Sequence, residues 1–258
     1  MNNLNLKYIT ENLLETFLTA GKIAKDISKE GVKIEIKADN TPVTNGDLAV
    51  DKILREKISQ LTPQIPIISE ETVNLNEKNN NKTFWLVDPI DGTKDYIKKG
   101  DEYTLNASLI TDLKPGIGIV YAPEKNRLFF SYGKGSSYQI KNNIKEKLNC
   151  KKVNKKKIIA LSNSDNTPEE VLLIYKKHKV TETTKMSSSL KFCILAAGEA
   201  DIYAAKARAC EWDIAAGHAI LLHSGGLVTD HSNKEFLYGK KDYKNLPIIA
   251  KRSLNLEV

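Results

Sequence analysis

The sequence predicts an α/β chain whose first half is α+β and whose second half alternates strand and helix. Two observations predict it. Between residues 103 and 132 three runs rich in Val, Ile, Tyr and Phe follow one another with only short turn segments between them, the pattern of an antiparallel sheet. From residue 158 onward, short apolar runs alternate with segments of helical spacing, the pattern of strands crossed over by helices. A third observation fixes the centre: Phe84 to Asp95, FWLVDPIDGTKD, where an apolar run ends in two closely spaced carboxylates.

The elements follow in order. Residues 5–29 place Leu13, Leu14, Phe17, Leu18, Ile23, Ala24 and Ile27 at roughly helical spacing, which gives a packing helix. The stretch Lys37 to Asp47 is punctuated by Asn40, Pro42 and Gly46 and reads as irregular. A helix follows it, announced by Leu48, Val50, Ile53, Leu54 and Ile58. Thr44 and Asp47 fit a T-x-x-D capping box at its start, and that structural role suffices to explain them. Gln64 to Ser69 is a short β-type run in which Pro66 favours a sheet edge. It ends at Glu70 and Glu71, and adjacent acids on extended chain point oppositely, so at most one faces the acids after the next strand. Residues 72–83 form a polar loop.

Phe84-Trp85-Leu86-Val87 suits a buried strand, and Pro89 is expected to end it sharply at Asp88. Gly92 lets backbone approach a ligand, and Thr93-Lys94-Asp95 reads as a first helical turn. Taken alone, Asp88 and Asp91 describe either a turn with an Asx cap or two hard oxygen ligands for a divalent cation. Strands are expected at 103–112, 115–122 and 127–132, then hairpin-like material to 153. A domain boundary is expected near 154, giving domains 1–154 and 155–258. In the second half, strands are expected at 158–161, 200–204, 227–229 and 247–250. Helices are expected at about 167–179, from 188 to about 197, and from 212 or 213 to 224, with Gly225-Gly226 ending the last.

Length and composition bound the rest. At 258 residues, with 41% hydrophobic and 28% charged residues, the chain has ample core for independent folding. No run reaches membrane-spanning length, the first thirty residues lack the apolar core of a signal peptide, and a reducing cytoplasm is the simplest compartment. Cys150, Cys193 and Cys210 are odd in number and lack C-x-x-C spacing, which indicates neither a disulfide framework nor zinc. The net charge of +7 is compatible with nucleic-acid binding. However, its densest cluster, Lys151-Lys152 with Lys155-Lys156-Lys157, falls in a connector and reads as solvated surface. Long-range attraction of polyanionic small molecules is the milder consequence.

DPIDGT, preceded by Glu70-Glu71 and followed downstream by Trp212-Asp213-Ile214-Ala215-Ala216-Gly217, resembles the inositol monophosphatase-like family of metal-dependent, lithium-sensitive phosphatases. Within that family, the likeness runs toward its bacterial 3'(2'),5'-bisphosphate nucleotidases. The resemblance implies a layered αβαβα sandwich and hydrolysis of a phosphate monoester. It implies Glu70, Asp88, Asp91, Asp213 and the Ile90 carbonyl as ligands to two or three Mg²⁺ ions. Asp47 and Thr93 would activate the attacking water, and the Gly92 and Thr93 N–H groups would steady the phosphoryl oxygens. Ser188 and Lys191, in an S-x-x-K pattern, would contact the nucleotide, with Asp213 also beside the substrate. For Ser188 a helix-start role alone explains the residue equally well. The implied partner is a phosphorylated small molecule, adenosine bisphosphate (3'-phosphoadenosine 5'-phosphate) in the favoured reading, with a homodimer compatible and neither membrane nor nucleic acid expected. An inositol or other sugar monophosphatase stays open as an alternative, as does an RNA- or protein-binding regulator on the same fold. Two positions depart from the nucleotidase pattern: Asp165 stands where relatives carry a His, and Ala205 where they carry an Arg. On this reading Asp165 would repel a nearby phosphate.

Overall fold

The structure, a computed structural model, describes residues 4–37, 40–75, 79–150, 153–253 and 256. Parts of three expected segments lie outside these residues: 38–39 of the irregular stretch, 76–78 of the polar loop, and Lys151-Lys152 of the basic cluster.

The chain opens with α1 (Leu6–Glu30), started by the Asn5 side chain, which accepts from the Tyr8 N–H at 3.0 Å. A small antiparallel hairpin, β1 (Ile34–Ile36) and β2 (Pro42–Thr44), occupies the stretch expected to be irregular. Its strands are three residues each and β1 is wholly exposed, so no buried alternation marked them. α2 (Asn45–Leu61) begins at the expected capping box, with Thr44 and Asp47 bonded reciprocally. β3 (Ile67–Ser69) is an edge strand, as Pro66 suggested, and pairs in parallel with β4 (Phe84–Asp91).

β4 does not stop at Asp88. It runs on to Asp91, and its pairing shifts there: Asp88 lies opposite Asn106, and Asp91 opposite Thr104. Three steps on one strand face two on the other, so one residue of the Pro89-Ile90 pair is extra, a β-bulge. Proline cannot donate to the ladder, and a bulge accommodates that defect without ending the strand. α3 (Thr93–Ile97) follows Gly92, whose φ of 94° is left-handed. β5 (Thr104–Thr111), β6 (Lys114–Ala122), β7 (Arg127–Ser131), β8 (Ser137–Lys141) and β9 (Ile144–Lys147) then meander antiparallel to complete a seven-stranded sheet.

The second half supplies β10 (Ile159–Ser162), α4 (Glu169–Lys177), β11 (Glu182–Lys185), α5 (Leu190–Ala196), β12 (Ile202–Ala205), α6 (Glu211–His223), β13 (Leu227–Asp230) and β14 (Ile248–Lys251). They form a five-stranded sheet in the order β11-β10-β12-β14-β13. β11, sequence ETTK and exposed throughout, was not expected, because it buries no side chain that could show a period.

Period-2 alternation sorts these strands into layers. Trp85 and Val87 of β4 face α1 and α2, joining Leu13, Phe17 and Leu54 in one core. Phe84 and Leu86 face the other way, toward α5 and α6. The same split occurs in the second sheet: Leu161, Tyr203 and Ala250 turn toward α5 and α6, whereas Ala160, Ile202 and Ile249 turn toward Val171 and Tyr175 of α4. The result is the expected αβαβα sandwich, with α5 and α6 as its middle layer. Enclosure by two sheets explains why EWDIAAGHAILLH is apolar nearly all round rather than amphipathic. The contact is tight: a Cβ at Gly118 of β6 would run into the Ala216 carbonyl oxygen of α6. No helix among the described residues is long and apolar enough to cross a membrane, and the three cysteines are free.

Candidate active site

The bulge is what makes the acids converge. In a regular strand, residues three apart point to opposite faces. The extra residue re-phases β4, so Asp91 lies close enough to Asp88 to repel it. Glu70 follows β3, and its N–H donates to the Val87 carbonyl at 3.1 Å, placing it beside Asp88. Asp213 arrives from the middle layer on the first turn of α6, where it accepts from the Cys210 N–H at 2.7 Å. Ligand oxygens of Glu70, Asp88 and Asp213 all lie within 4.8 Å of one another. Glu71 borders the cluster rather than joining it: Lys37 bridges the two adjacent acids, 2.7 Å from Glu71 and 3.4 Å from Glu70. Burial lifts the Glu71 carboxyl to about 7 despite that lysine.

Burial first, and then mutual repulsion, drive Asp88 and Asp213 well above the usual carboxylate range. Asp91 rises to about 6 because burial outweighs the nearby Lys191 and the Ser189 N–H. Asp88 Oδ1 is buried and has no hydrogen-bond donor. A buried anionic oxygen without a donor, among three other carboxylates, costs free energy that a cation would recover. All four donors are hard oxygen ligands of the kind Mg²⁺ takes, and the residues present fit a divalent cation.

Asp47 and Thr93, separated by 46 residues, come together beside this cluster. The Thr93 hydroxyl lies 3.3 Å from Asp47 Oδ1 and 3.1 Å from the Ile90 carbonyl oxygen, sharing its proton between them. The capping box holds the other Asp47 oxygen through the Thr44 N–H at 2.8 Å. Burial raises the Asp47 carboxyl against these bonds. Gly92 precedes Thr93 in the left-handed turn; α3 has only five residues, so its macrodipole adds little.

A cleft of about 160 Å³ adjoins Asp91 and Asp213 and is lined also by Asn163, Ser188, Lys191 and Arg208. Lys191 is only 4% exposed. Its ammonium donates to the Ser188 carbonyl and lies 5.1 Å from the Tyr203 ring centre. Burial pulls it down to about 8, against the pull of Asp91. Ser188 has a φ of 55°, and its hydroxyl donates to the Glu102 carbonyl oxygen. Ala205 lines the cleft, whereas Asp165 does not: it is exposed, paired with Lys185 at 2.6 Å, and borders a separate surface hollow. The expected repulsion of phosphate by Asp165 is therefore corrected, because a neighbouring lysine on β11 neutralises it outside the cleft. Asn163, two residues earlier, lines the cleft and donates to the Tyr203 hydroxyl at 2.7 Å. Nothing in the local sequence marked Asn163 or Lys37.

The inositol monophosphatase family pattern spans residues 5–255. The chain belongs to the inositol monophosphatase family. Among its relatives, a Buchnera aphidicola protein named 3'(2'),5'-bisphosphate nucleotidase CysQ is 40% identical over 203 residues, covering 78% of this chain and 76% of that protein. An Escherichia coli protein of the same name is 35% identical over 208 residues, covering 80% and 83%. The crystal structure of CysQ from Bacteroides thetaiotaomicron superposes with a TM-score of 0.79 at 29% identity, covering 97% of this chain and 98% of that one. Membership agrees with the layered fold and makes a metal-dependent phosphatase site the frame for the acids described above.

Proposed function

We propose that this family member hydrolyses the 3'-phosphate of an adenosine bisphosphate, releasing AMP and phosphate, with Mg²⁺ bound at the acid cluster. The observation that carries the phosphatase chemistry is the convergence of Glu70, Asp88 and Asp213 from three separate elements, next to the Asp47–Thr93 pair. The nucleotide assignment is supported by relatives that are named bisphosphate nucleotidases at up to 40% identity.

In this reading Glu70, Asp88, Asp91, Asp213 and the Ile90 carbonyl hold two or three Mg²⁺ ions. When bound, Mg²⁺ supplies charge stabilisation for the phosphoryl group and its leaving oxygen, and acidifies water. The chain's own residues do the positioning. Thr93 donates its hydroxyl proton toward Asp47, which turns an oxygen lone pair outward to accept from the attacking water. Asp47 is the final proton acceptor, and a carboxyl raised by burial suits that task near neutral pH. Water's oxygen forms the new P–O bond as the ester P–O bond breaks; the departing alkoxide takes a proton from solvent water to become the alcohol, and Asp47 returns its proton to solvent. The Gly92 and Thr93 N–H groups steady the phosphoryl oxygens. Lys191 and Ser188 form the wall against which the nucleoside lies, with Asp213 beside it. The proposed division near residue 154 places the cluster between a metal-holding half and a substrate-holding half.

The test is phosphate release from 3'-phosphoadenosine 5'-phosphate, inositol monophosphate and a sugar bisphosphate at fixed Mg²⁺. A higher kcat/KM for the nucleotide, abolished by chelator and depressed by lithium, is expected. Because Ala205 replaces a forked cationic contact, that preference should be modest and should widen in Ala205→Arg. Preference for inositol monophosphate would assign the sugar-phosphatase alternative.

A further inference from the structure

One residue outside the expected set ties the two halves together at the acid cluster. Glu102 sits in the segment between α3 and β5 and makes three hydrogen bonds. Its N–H donates to Asp95 Oδ2 at 2.9 Å. Its carboxylate accepts from the Ser187 N–H at 2.7 Å, and its carbonyl oxygen accepts from the Ser188 hydroxyl. The Asp95 end is anchored, because the 98–101 turn wraps this carboxylate. The Gly100 N–H donates to the Asp95 carbonyl oxygen, and a Cβ at Gly100 would strike the Asp95 carboxylate.

The far end leads directly to a metal-ligand candidate. Ser188 adopts a φ of 55°, which costs a non-glycine residue roughly 1 kcal/mol, so the turn needs outside bonds to persist. Held in that turn, the next residue, Ser189, donates its N–H to Asp91 Oδ2. The Ser189 hydroxyl is itself fixed, 2.8 Å from Asn106 Oδ1 and 3.2 Å from the Thr104 hydroxyl. The same turn places the Ser188 carbonyl that receives the Lys191 ammonium. Glu102 is thus the junction through which α3, carrying Thr93, fixes the turn that orients Asp91 and Lys191.

We infer that Glu102 is a positioning residue. Through hydrogen bonds to residues 187–188 it sets the Asp91 carboxylate for the cation and Lys191 for the substrate, without touching either ligand. The inference rests on the metal-site reading above only for its consequence in activity; the clasp itself is testable without metal. Hydrogen exchange across residues 186–191 of the metal-free chain is measured for wild type, Glu102→Ala and Glu102→Gln. Glu102→Ala should accelerate exchange roughly tenfold, about the worth of one lost hydrogen bond, while Glu102→Gln, which keeps an acceptor, restores protection. In parallel, Mg²⁺-induced shifts in Tm are titrated. The Mg²⁺ concentration at half-maximal shift should rise about tenfold in Glu102→Ala, again the worth of one such bond, and return in Glu102→Gln. Unchanged exchange in Glu102→Ala overturns the clasp, and equal acceleration in both variants overturns the hydrogen-bonding account in favour of charge. If wild type shows no Mg²⁺ shift while exchange follows the expected order, the clasp stands and the metal-site reading falls.

Discussion

Asp91→Asn should have opposite effects on stability and turnover, and the structure sets the size of both. Burial raises the Asp91 carboxyl from its ordinary 3.8 to about 6, a change of about 2 pKa units. At roughly 1.4 kcal/mol per unit, ionised Asp91 costs the metal-free fold about 3 kcal/mol at neutral pH. The folded state holds its proton more tightly than the unfolded chain, so stability falls as pH rises from about 4 to 6 and the full cost persists above. Asparagine removes that cost, which is already net of the Lys191 attraction, and still offers an oxygen to the Ser189 N–H, but its amide NH2 is a new donor in a buried site and costs about 1–2 kcal/mol. A net gain of about 1–2 kcal/mol remains, and at this chain length each such unit moves Tm by about 2–4 °C. Thermal unfolding in chelator should therefore place Asp91→Asn about 2–8 °C above wild type at pH 7.5, with the gap closing near pH 4. In saturating Mg²⁺ the order should reverse, because only wild type recovers the repulsion as binding energy, and kcat should drop by orders of magnitude. An Asp91→Asn chain no more stable than wild type in chelator at pH 7.5 would refute the claim that the cluster is held under electrostatic load.

Three further outcomes are expected. Thr93→Ala should lower kcat by about 10²- to 10⁴-fold while leaving the Mg²⁺-induced Tm shift intact, since its hydroxyl faces Asp47; a kcat within about twofold of wild type removes the pair from the mechanism. Gly118→Ala should destabilise by about 1–3 kcal/mol through overpacking and raise the Mg²⁺ needed for half-maximal activity, because the helix it displaces carries Asp213. His218 and His223 are pushed down to about 3 and about 4, chiefly by burial. The unfolded chain therefore binds protons that the folded one refuses below pH 6.5, and stability is lost as pH falls. At pH 5 each histidine costs about 2 kcal/mol, so denaturant unfolding of His223→Gln should gain about that much on wild type between pH 7.5 and pH 5.

The sequence showed the fold wherever burial left a period. Phe84 to Val87, the runs at 103–132 and the helix at 5–29 are buried on at least one face, and their spacing records it. β1 and β11 are exposed at every position, so no pattern of apolar residues could specify them and only backbone pairing places them; β9 is equally exposed, and only its hairpin with β8 was legible. The acids were legible because DPIDGT, Glu70-Glu71 and WDIAAG are local strings. What was not legible is the bulge at Pro89-Ile90: proline signals an interrupted ladder equally well by ending a strand or by bulging it. The choice is decided by Asp91 pairing with Thr104, a partner 13 positions away. Asn163, Lys37 and Glu102 are contacts made by topology alone, and residues of their kinds are common on any surface.

The bulge and Gly118 serve a common end. The acids can gather only if β4 keeps Asp91 on the side of Asp88 and α6 lies flush on the sheet, bringing Asp213 within reach of Glu70 and Asp88. Each device works against a local preference: a bulge forfeits ladder hydrogen bonds, and glycine weakens a strand. The assembled cluster then adds a repulsion that the apolar layers around α6 must outweigh. Those layers bury Trp212, Ile214, Ala215, Ile220 and Leu221 of α6 itself, so the element bearing the repelled Asp213 is also among the most firmly packed. Charge strain can persist at a site only where its carriers are fixed by more burial than the strain can undo. By this logic the middle helix is the natural carrier of the last acid, and a surface helix would be a poor one.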